Sequence, residues 1–211
     1  MGKRNSFLLA IFNIVCILGF SKAYESPQYT VLHSESEFEI RLYRDSVWMS
    51  APVKEISFRK ATRDGFHRLF QYIEGANLNN SRVPMTVPVV TSIVPGAGPL
   101  DSSAYVVYFY VPDKFQASPP LPLPELNLTP DSWTSNCKAV RQFSGFARDN
   151  NVVEEAEKLA ISLSKSPYST SSSSNFAYSI AQYNSPLKFI GRLNEVWVDV
   201  DGCKSPEVAA Y

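Results

Sequence analysis

Arg63, Phe66 and Phe70 fall at i, i+3 and i+7 of a segment with helical periodicity, which lines their side chains along one flank of a helix. A guanidinium beside two aromatic faces suits a flat, largely apolar ligand that carries carboxylates, because arginine meets a carboxylate with two parallel N–H bonds. A tetrapyrrole has that shape. The same three residues also fit a plainer role, with both phenylalanines in the core and Arg63 laying its aliphatic stem over them. Met85, within Pro84-Met85-Thr86-Val87-Pro88, could line such a pocket or make a soft contact to iron; a buried apolar methionine is the alternative. Of the two histidines, His67 falls on the charged face of the helix and His33 in a polar segment ahead of the first strand. Neither context would hold an iron ligand in place. Tyr43 and Tyr72 could bond ferric iron as phenolates.

No enzyme is expected. The chain has no G-x-S-x-G, no H-E-x-x-H, no phosphate-binding glycine loop and no dinucleotide fingerprint. Glu154, Glu155 and Glu157 read as the solvated face of a helix. A carboxylate pair assembled from distant residues is left open by sequence.

The elements that must position these groups are read from periodicity. Residues 38–53 are rich in aromatic and β-branched residues and predict a strand. Residues 57–74 predict a helix, with Phe58, Thr62, Phe66, Leu69 and Ile73 as its apolar stripe. Gly75 and Asn77 then supply a helix-ending break. Strands are expected at about 84–94 and 104–112, the first at an edge or bulged because Pro84 and Pro88 remove two donors. Five prolines in 116–131 predict a rigid connection. A strand at 137–147 leads to Asn151, expected to cap a helix whose face carries Val152, Ala156, Leu159, Ala160 and Leu163. A serine-rich loop at 169–174 precedes strands at about 176–183 and 193–200. Each half thus reads strand–helix–strand–strand, with halves at about 36–115 and 132–203, and the expected class is α+β.

The first 23 residues read as a secretory signal peptide. Lys3 and Arg4 precede a 14-residue apolar run broken by Asn13, shorter than the roughly 20 residues that cross a bilayer. Ser21 and Ala23 place the cleavage between Ala23 and Tyr24. Residues 24–211 would then form a single domain with no transmembrane segment. Removing Lys3, Arg4 and Lys22 with no acid takes the formal charge from 0 to −3. With no basic cluster, a nucleic-acid partner is not expected. Cys137 and Cys203 remain as an even pair in an oxidising compartment, where a disulfide closing their 66-residue separation would contribute about 4 kcal/mol; two buried thiols are the alternative. Asn79 and Asn127 head sequons in turn-like segments, as glycan acceptors should.

The segments FHRLFQYIEGANLNNSRVPMTVPV (66–89), VVYFYVPDKF (106–115), SPPLPLPE (118–125), VRQFSGFA (140–147) and YNSPLKFIGRLNEVWV (183–198) together resemble the SOUL/haem-binding protein family. The resemblance implies a distorted antiparallel β-barrel flanked by two α-helices and built from a duplicated half. It also implies tetrapyrrole binding, and with the signal peptide the expectation is a secreted carrier or scavenger that binds haem or a porphyrin as a monomer, outside the cell or in a vacuole. The implied pocket lies between the first helix and the loop joining the last two strands, where Arg63 and Lys188 match basic residues of the family; with Phe66, Phe70, Ile73 and Met85 from the residue reading they make the expected ligand site. Gln71 stands where some members have a further lysine. Leu42 stands where some have a histidine proposed as an iron ligand, so no axial ligand is assigned. The alternative is an interaction module whose groove or edge strand docks another protein, with haem affinity incidental. N-terminal sequencing of material secreted by a eukaryotic host is expected to begin at Tyr24; an intact apolar segment in the membrane fraction would establish an anchor instead.

Overall fold

Strand-forming and helix-forming segments alternate along the chain to give β1 (Tyr29–Ser34), β2 (Glu39–Tyr43), β3 (Ser46–Val53), α1 (Phe58–Ile73), β4 (Val89–Val94), β5 (Ala104–Tyr110), β6 (Thr129–Trp133), β7 (Asn136–Ser144), α2 (Asp149–Leu163), β8 (Tyr178–Gln182) and β9 (Leu193–Val200). The computed structural model describes residues 24–98, 103–168 and 177–201. All nine strands join one antiparallel sheet in the order β1-β2-β7-β9-β8-β4-β5-β3-β6. The expected α+β class and helix-flanked distorted barrel are both present, the sheet curling into a half-barrel.

The repeated order of elements is also a repeated pairing. β3-α1-β4-β5 forms the ladder β4-β5-β3, and β7-α2-β8-β9 forms the ladder β8-β9-β7. The two ladders join where β4 meets β8. Each half is preceded by a strand that pairs with the other half, β2 against β7 and β6 against β3. The exchange ties the halves together at both ends of the sheet.

Alternation within the strands separates two faces. Val47, Met49, Ala51 and Val53 of β3, Tyr105, Val107 and Phe109 of β5, and Val196, Val198 and Val200 of β9 point toward the helices. α1 packs mainly on β3 and β5, and α2 on β7 and β9. The opposite face is concave and closes on itself: Tyr43, Trp48, Val90, Tyr110, Val140, Ala181 and Trp197 form one buried cluster drawn from seven strands. Trp48 stacks on Trp133 at 4.6 Å, and Tyr43 lies 5.0 Å from Trp197. Burying a large apolar side chain stabilises by about 1.5–3 kcal/mol, so this aromatic interior is a major source of stability.

Several elements differ from the sequence reading for identifiable reasons. The strand expected at 38–53 is two strands, split at Arg44-Asp45, with Ser135 donating to Asp45 Oδ1 and to the Tyr43 carbonyl. His33 lies within β1 rather than ahead of the first strand; its ring bonds Glu35 at 2.9 Å and rests 5.4 Å from Tyr168. Pro84–Pro88 is not a strand, its Val87–Pro88 peptide is cis, and β4 begins only after the prolines, which lets it lie inside the sheet between β8 and β5 rather than at an edge. The proline-rich connection ends in edge strand β6, where Pro130 costs no interior ladder bond. Gly75, at φ 119°, turns the chain after α1 as expected, but Asn77 does not share that conformation. Asn77 is instead fully buried, its amide donating to the Tyr72 and Ser81 carbonyls while its oxygen accepts from the backbone of Asn79 and Ser81. Asn151 sits one turn inside α2; its side chain accepts from the Arg148 N–H and donates to the Phe146 carbonyl. Ala160 is exposed rather than packed.

The inward stripe of α1 is Phe58, Ala61, Gly65, Leu69, Tyr72 and Ile73. The small residues Ala61 and Gly65 lie at the centre of the contact because the helix comes very close to β5, while Thr62, bonded to the Thr91 hydroxyl of β4 at 2.9 Å, and half-buried Phe66 sit at its margin. A Cβ built on Gly65 would lie 2.4 Å from Val107 Cγ2. A mid-helix glycine costs about 1 kcal/mol in helix propensity, which this close approach explains. Gly65→Ala is therefore expected to destabilise the fold by about 1–3 kcal/mol despite the better propensity, read as a lower denaturant midpoint; an unchanged or raised midpoint would show that α1 shifts without cost.

Candidate functional site

Beside its inward stripe, α1 presents a half-apolar flank. Thr62, Phe66 and Phe70 on that flank, with Phe58 from the first turn of the stripe, form one wall of a groove of about 940 Å³. The floor comes from Met85, Val87 and Val89, and the far wall from Phe146–Arg148, at the start of α2, with the β8–β9 loop from Asn184 to Arg192. The groove lies over the β4–β8 seam between the two halves. Volumes of about 300–1,000 Å³ are usual for small-molecule sites.

Five of the six residues expected in the pocket line this groove: Arg63, Phe66, Phe70, Met85 and Lys188. Phe66 and Phe70 stack obliquely with ring centres 5.9 Å apart, and Phe70 is 44% exposed. Arg63 is largely exposed and its Nε bonds the neighbouring Asp64 at 2.9 Å, leaving its outer nitrogens toward solvent. Ile73 is the exception. At four residues from Leu69 it sits on the inward face, 3% exposed within the core against β3 and β5, and does not reach the groove.

The charge pattern is one-sided. Arg59, Lys60, Arg63, Arg148, Lys188 and Arg192 line the groove, and among the described residues no aspartate or glutamate does. The nearest acids belong to local pairs, Asp64 with Arg63 and Asp149 with Ser57. Arg192 is 5% exposed, its guanidinium 4.4 Å above the Phe146 ring. It donates to the carbonyls of Asn184, Ser185 and Lys188, while its Nε has no hydrogen-bond partner. Among the described residues no carboxylate pairs with it, and burial pushes its pKa down. A buried cation without a counter-ion is costly, and an anion entering the groove would offset that cost.

Behind the groove lies a buried polar network. Tyr183 lines the groove and donates to Glu195 Oε2 at 2.6 Å. The same oxygen accepts from Trp197 Nε1 at 2.8 Å. Glu195 Oε1 pairs with Arg41 at 2.9 Å and accepts from Gln142 at 3.3 Å. Both charged side chains are 3% exposed. Burial and the Glu195 charge hold the Tyr183 hydroxyl well above its ordinary range, so it acts as a neutral donor.

Neither histidine lines the groove. His67 is exposed and bonded to Gln71. Leu42 points to the α2-covered face, opposite Cys137, so a side chain there would not meet this groove. Tyr43 and Tyr72 are buried elsewhere; Tyr72 donates to the Pro120 carbonyl and burial raises its pKa to about 12, so neither offers a phenolate to the groove. Met85, Tyr24 and Tyr183 are the groove residues that carry sulfur or phenol. Among the described residues, no three of histidine, cysteine, aspartate and glutamate are grouped to hold a metal ion.

Sequence reasoning missed Arg59, Lys60, Phe146, Arg148, Tyr183 and Arg192. Phe146 and Arg192 sit in segments whose family pattern was visible, but which of their side chains turn toward α1 is set by β7 and β9 pairing. Cys137 is buried and faces Val200, three residues before Cys203, which lies outside the described residues. Asn79 and Asn127 are exposed. Glu195→Ala is expected to destabilise the protein by about 3–5 kcal/mol because it strands buried Arg41, whereas Tyr183→Phe should cost only about 1–3 kcal/mol; chemical denaturation separates them, and equal small losses would mean that the interior admits water.

A family model described as SOUL heme-binding protein matches residues 24–199. Heme-binding protein 2 of Homo sapiens is 33% identical over 161 residues, covering 76% of this chain and 77% of that protein. Heme-binding protein 1 of Xenopus laevis is 30% identical over 160 residues, covering 76% and 82%. Among solved structures, the EcmrR C-terminal domain aligns with a TM-score of 0.58 at 9% identity, covering 83% of this chain and 99% of that one. A hydrolase from Listeria innocua aligns with a TM-score of 0.51 at 8% identity, covering 80% and 94%. These two likenesses establish a shared fold and nothing further. With the family model covering both helices and reaching into all nine strands, this chain belongs to the SOUL heme-binding protein family.

Proposed function

We propose that the groove binds a tetrapyrrole, haem or a related porphyrin, and that the protein carries or scavenges it without chemical conversion. The observation that supports this most directly is the lining: a phenylalanine- and valine-rich slot with six cations around it and, among the described residues, no acid. The macrocycle would lie against Phe66 and Phe70, its faces buried by Met85 and Phe146. Its carboxylates would meet Arg63 from one side and Lys188 from the other, the bidentate fork of Arg63 fitting a propionate best. Tyr183, anchored by Glu195, offers a neutral hydroxyl to the ligand edge.

Secretion, one Cys137–Cys203 disulfide and glycans on Asn79 and Asn127 complete the reading of an extracellular or vacuolar binder. Exposure of both asparagines and the placement of Cys137 opposite Val200 support it.

Affinity should rest on apolar burial and carboxylate pairing, since no imidazole lies in the groove. Metal-free protoporphyrin is therefore expected to bind within about tenfold of hemin, a difference of roughly 1.4 kcal/mol or less. Replacing Arg63 and Lys188 with alanine should weaken both ligands by roughly 1–3 kcal/mol per contact, toward the lower end for exposed Arg63. Titrations followed by tryptophan quenching and by the porphyrin absorption band measure both. Unchanged affinity in the folded double variant would move the site elsewhere. A hemin preference above a hundredfold, lost on changing one histidine, tyrosine or methionine, would make iron ligation dominant.

A further inference from the structure

The β8–β9 loop carries three large apolar side chains that the fold leaves in water. Leu187 is 79% exposed, Phe189 72% and Ile190 89%. Single exposed apolar residues are ordinary on a protein surface, but three within four positions on one loop are not. The loop is built to hold them outward. Buried Arg192 ties the carbonyls of Asn184, Ser185 and Lys188 from beneath, and the Asn184 side chain accepts from the Leu193 N–H at 2.6 Å. Ser185 closes the turn through the Leu187 and Lys188 N–H groups. Phe189 touches the body only loosely, its ring centre 6.2 Å from that of Phe146.

The surroundings of this tip indicate what it meets. Lys188 stands between the apolar residues, and Arg59, Lys60, Arg63 and Arg148 line the same groove, without an acid among the lining groups. Apolar side chains that project beside a ring of cations match an anionic bilayer, which takes the side chains below its headgroups and pairs the cations with its phosphates and carboxylates. A protein partner fits less well, because one narrow tip offers far less than the roughly 800 Å² per side of a stable interface.

We propose that the loop from Pro186 to Gly191 docks this protein on an anionic phospholipid surface, with Leu187, Phe189 and Ile190 inserted and the mouth of the groove facing the lipid. This goes beyond ligand binding and does not depend on which molecule the groove holds. A poorly soluble occupant would then enter or leave without crossing bulk water.

The test uses vesicles of phosphatidylcholine with about one-third phosphatidylserine, and vesicles of phosphatidylcholine alone. The protein is compared with Leu187→Ser/Phe189→Ser/Ile190→Ser carrying the same N terminus. The unchanged protein should co-sediment with anionic vesicles at least tenfold more strongly than the triple variant, and more strongly than with neutral vesicles. A Phe189→Trp variant should show blue-shifted emission and quenching by brominated lipid on the anionic vesicles. Circular dichroism and an unchanged denaturant midpoint confirm that the triple variant is folded, and porphyrin titration is read separately. Equal vesicle binding by both proteins, or none by either, would overturn the proposal. So would a triple variant that loses porphyrin affinity and not vesicle binding, which makes the tip a cover for the ligand. A dimer in sedimentation that the triple variant abolishes, without vesicle binding, would assign the tip to a second copy.

Discussion

The arrangement depends on one buried carboxylate. Glu195 lies inside the half-barrel and accepts from Arg41, Gln142, Tyr183 and Trp197, so its lone pairs are used by groups from β2, β7, the end of β8 and β9 itself. A carboxylate taken out of water is tolerated only when paired and hydrogen-bonded this fully. The consequence is geometric. β2 belongs by sequence to the first half, yet Arg41 can reach Glu195 only if β2 pairs with β7 of the second half. The network therefore rewards the exchanged pairing that ties the halves together, and a strand slipped by one residue would turn Arg41 onto the helix-covered face.

The same constraint fixes the groove. Tyr183 leaves β8 with its hydroxyl drawn inward to Glu195, and its ring becomes part of the groove wall where the halves meet. Opposite it, α1 is pulled onto β5 by the missing side chain of Gly65. That close approach rotates the helix so that Ala61 and Gly65 face the sheet and Phe66 turns to the flank. An apolar slot is left between two rigid elements rather than within a core. Preformed slots of this kind bind flat ligands without first paying the entropy of ordering their walls.

Charge separates the packed interior from the groove. The interior holds Arg41 against a carboxylate, whereas the groove collects six cations and, among the described residues, no acid. Arg192 shows the difference most clearly: it is as buried as Arg41, but its donors go to loop carbonyls and no anion offsets it among the described residues. Its work is to hold the β8–β9 loop in a closed turn beside the groove. Loop shape and groove electrostatics are thus properties of the same side chain.

Periodicity in the sequence was enough to locate α1 and α2, the strand–helix–strand–strand order of each half, and the alignment of Arg63, Phe66 and Phe70, because these depend on neighbours within a turn or two. The family pattern added Met85 and Lys188, which share the groove with them. Other features were set by tertiary contact. Phe66 and Ile73 look alike in a helical stripe, but with Gly65 packed against Val107, where a Cβ would not fit, Phe66 lines the groove and Ile73 lies in the core. β1 and β6 are polar or proline-bearing edges whose strand character comes from pairing partners, not from composition. Arg41 and Glu195 are 154 positions apart, and nothing local marks either as buried. Local sequence determines which way a helix or strand repeats; which residues lose water is decided when distant segments close on one another.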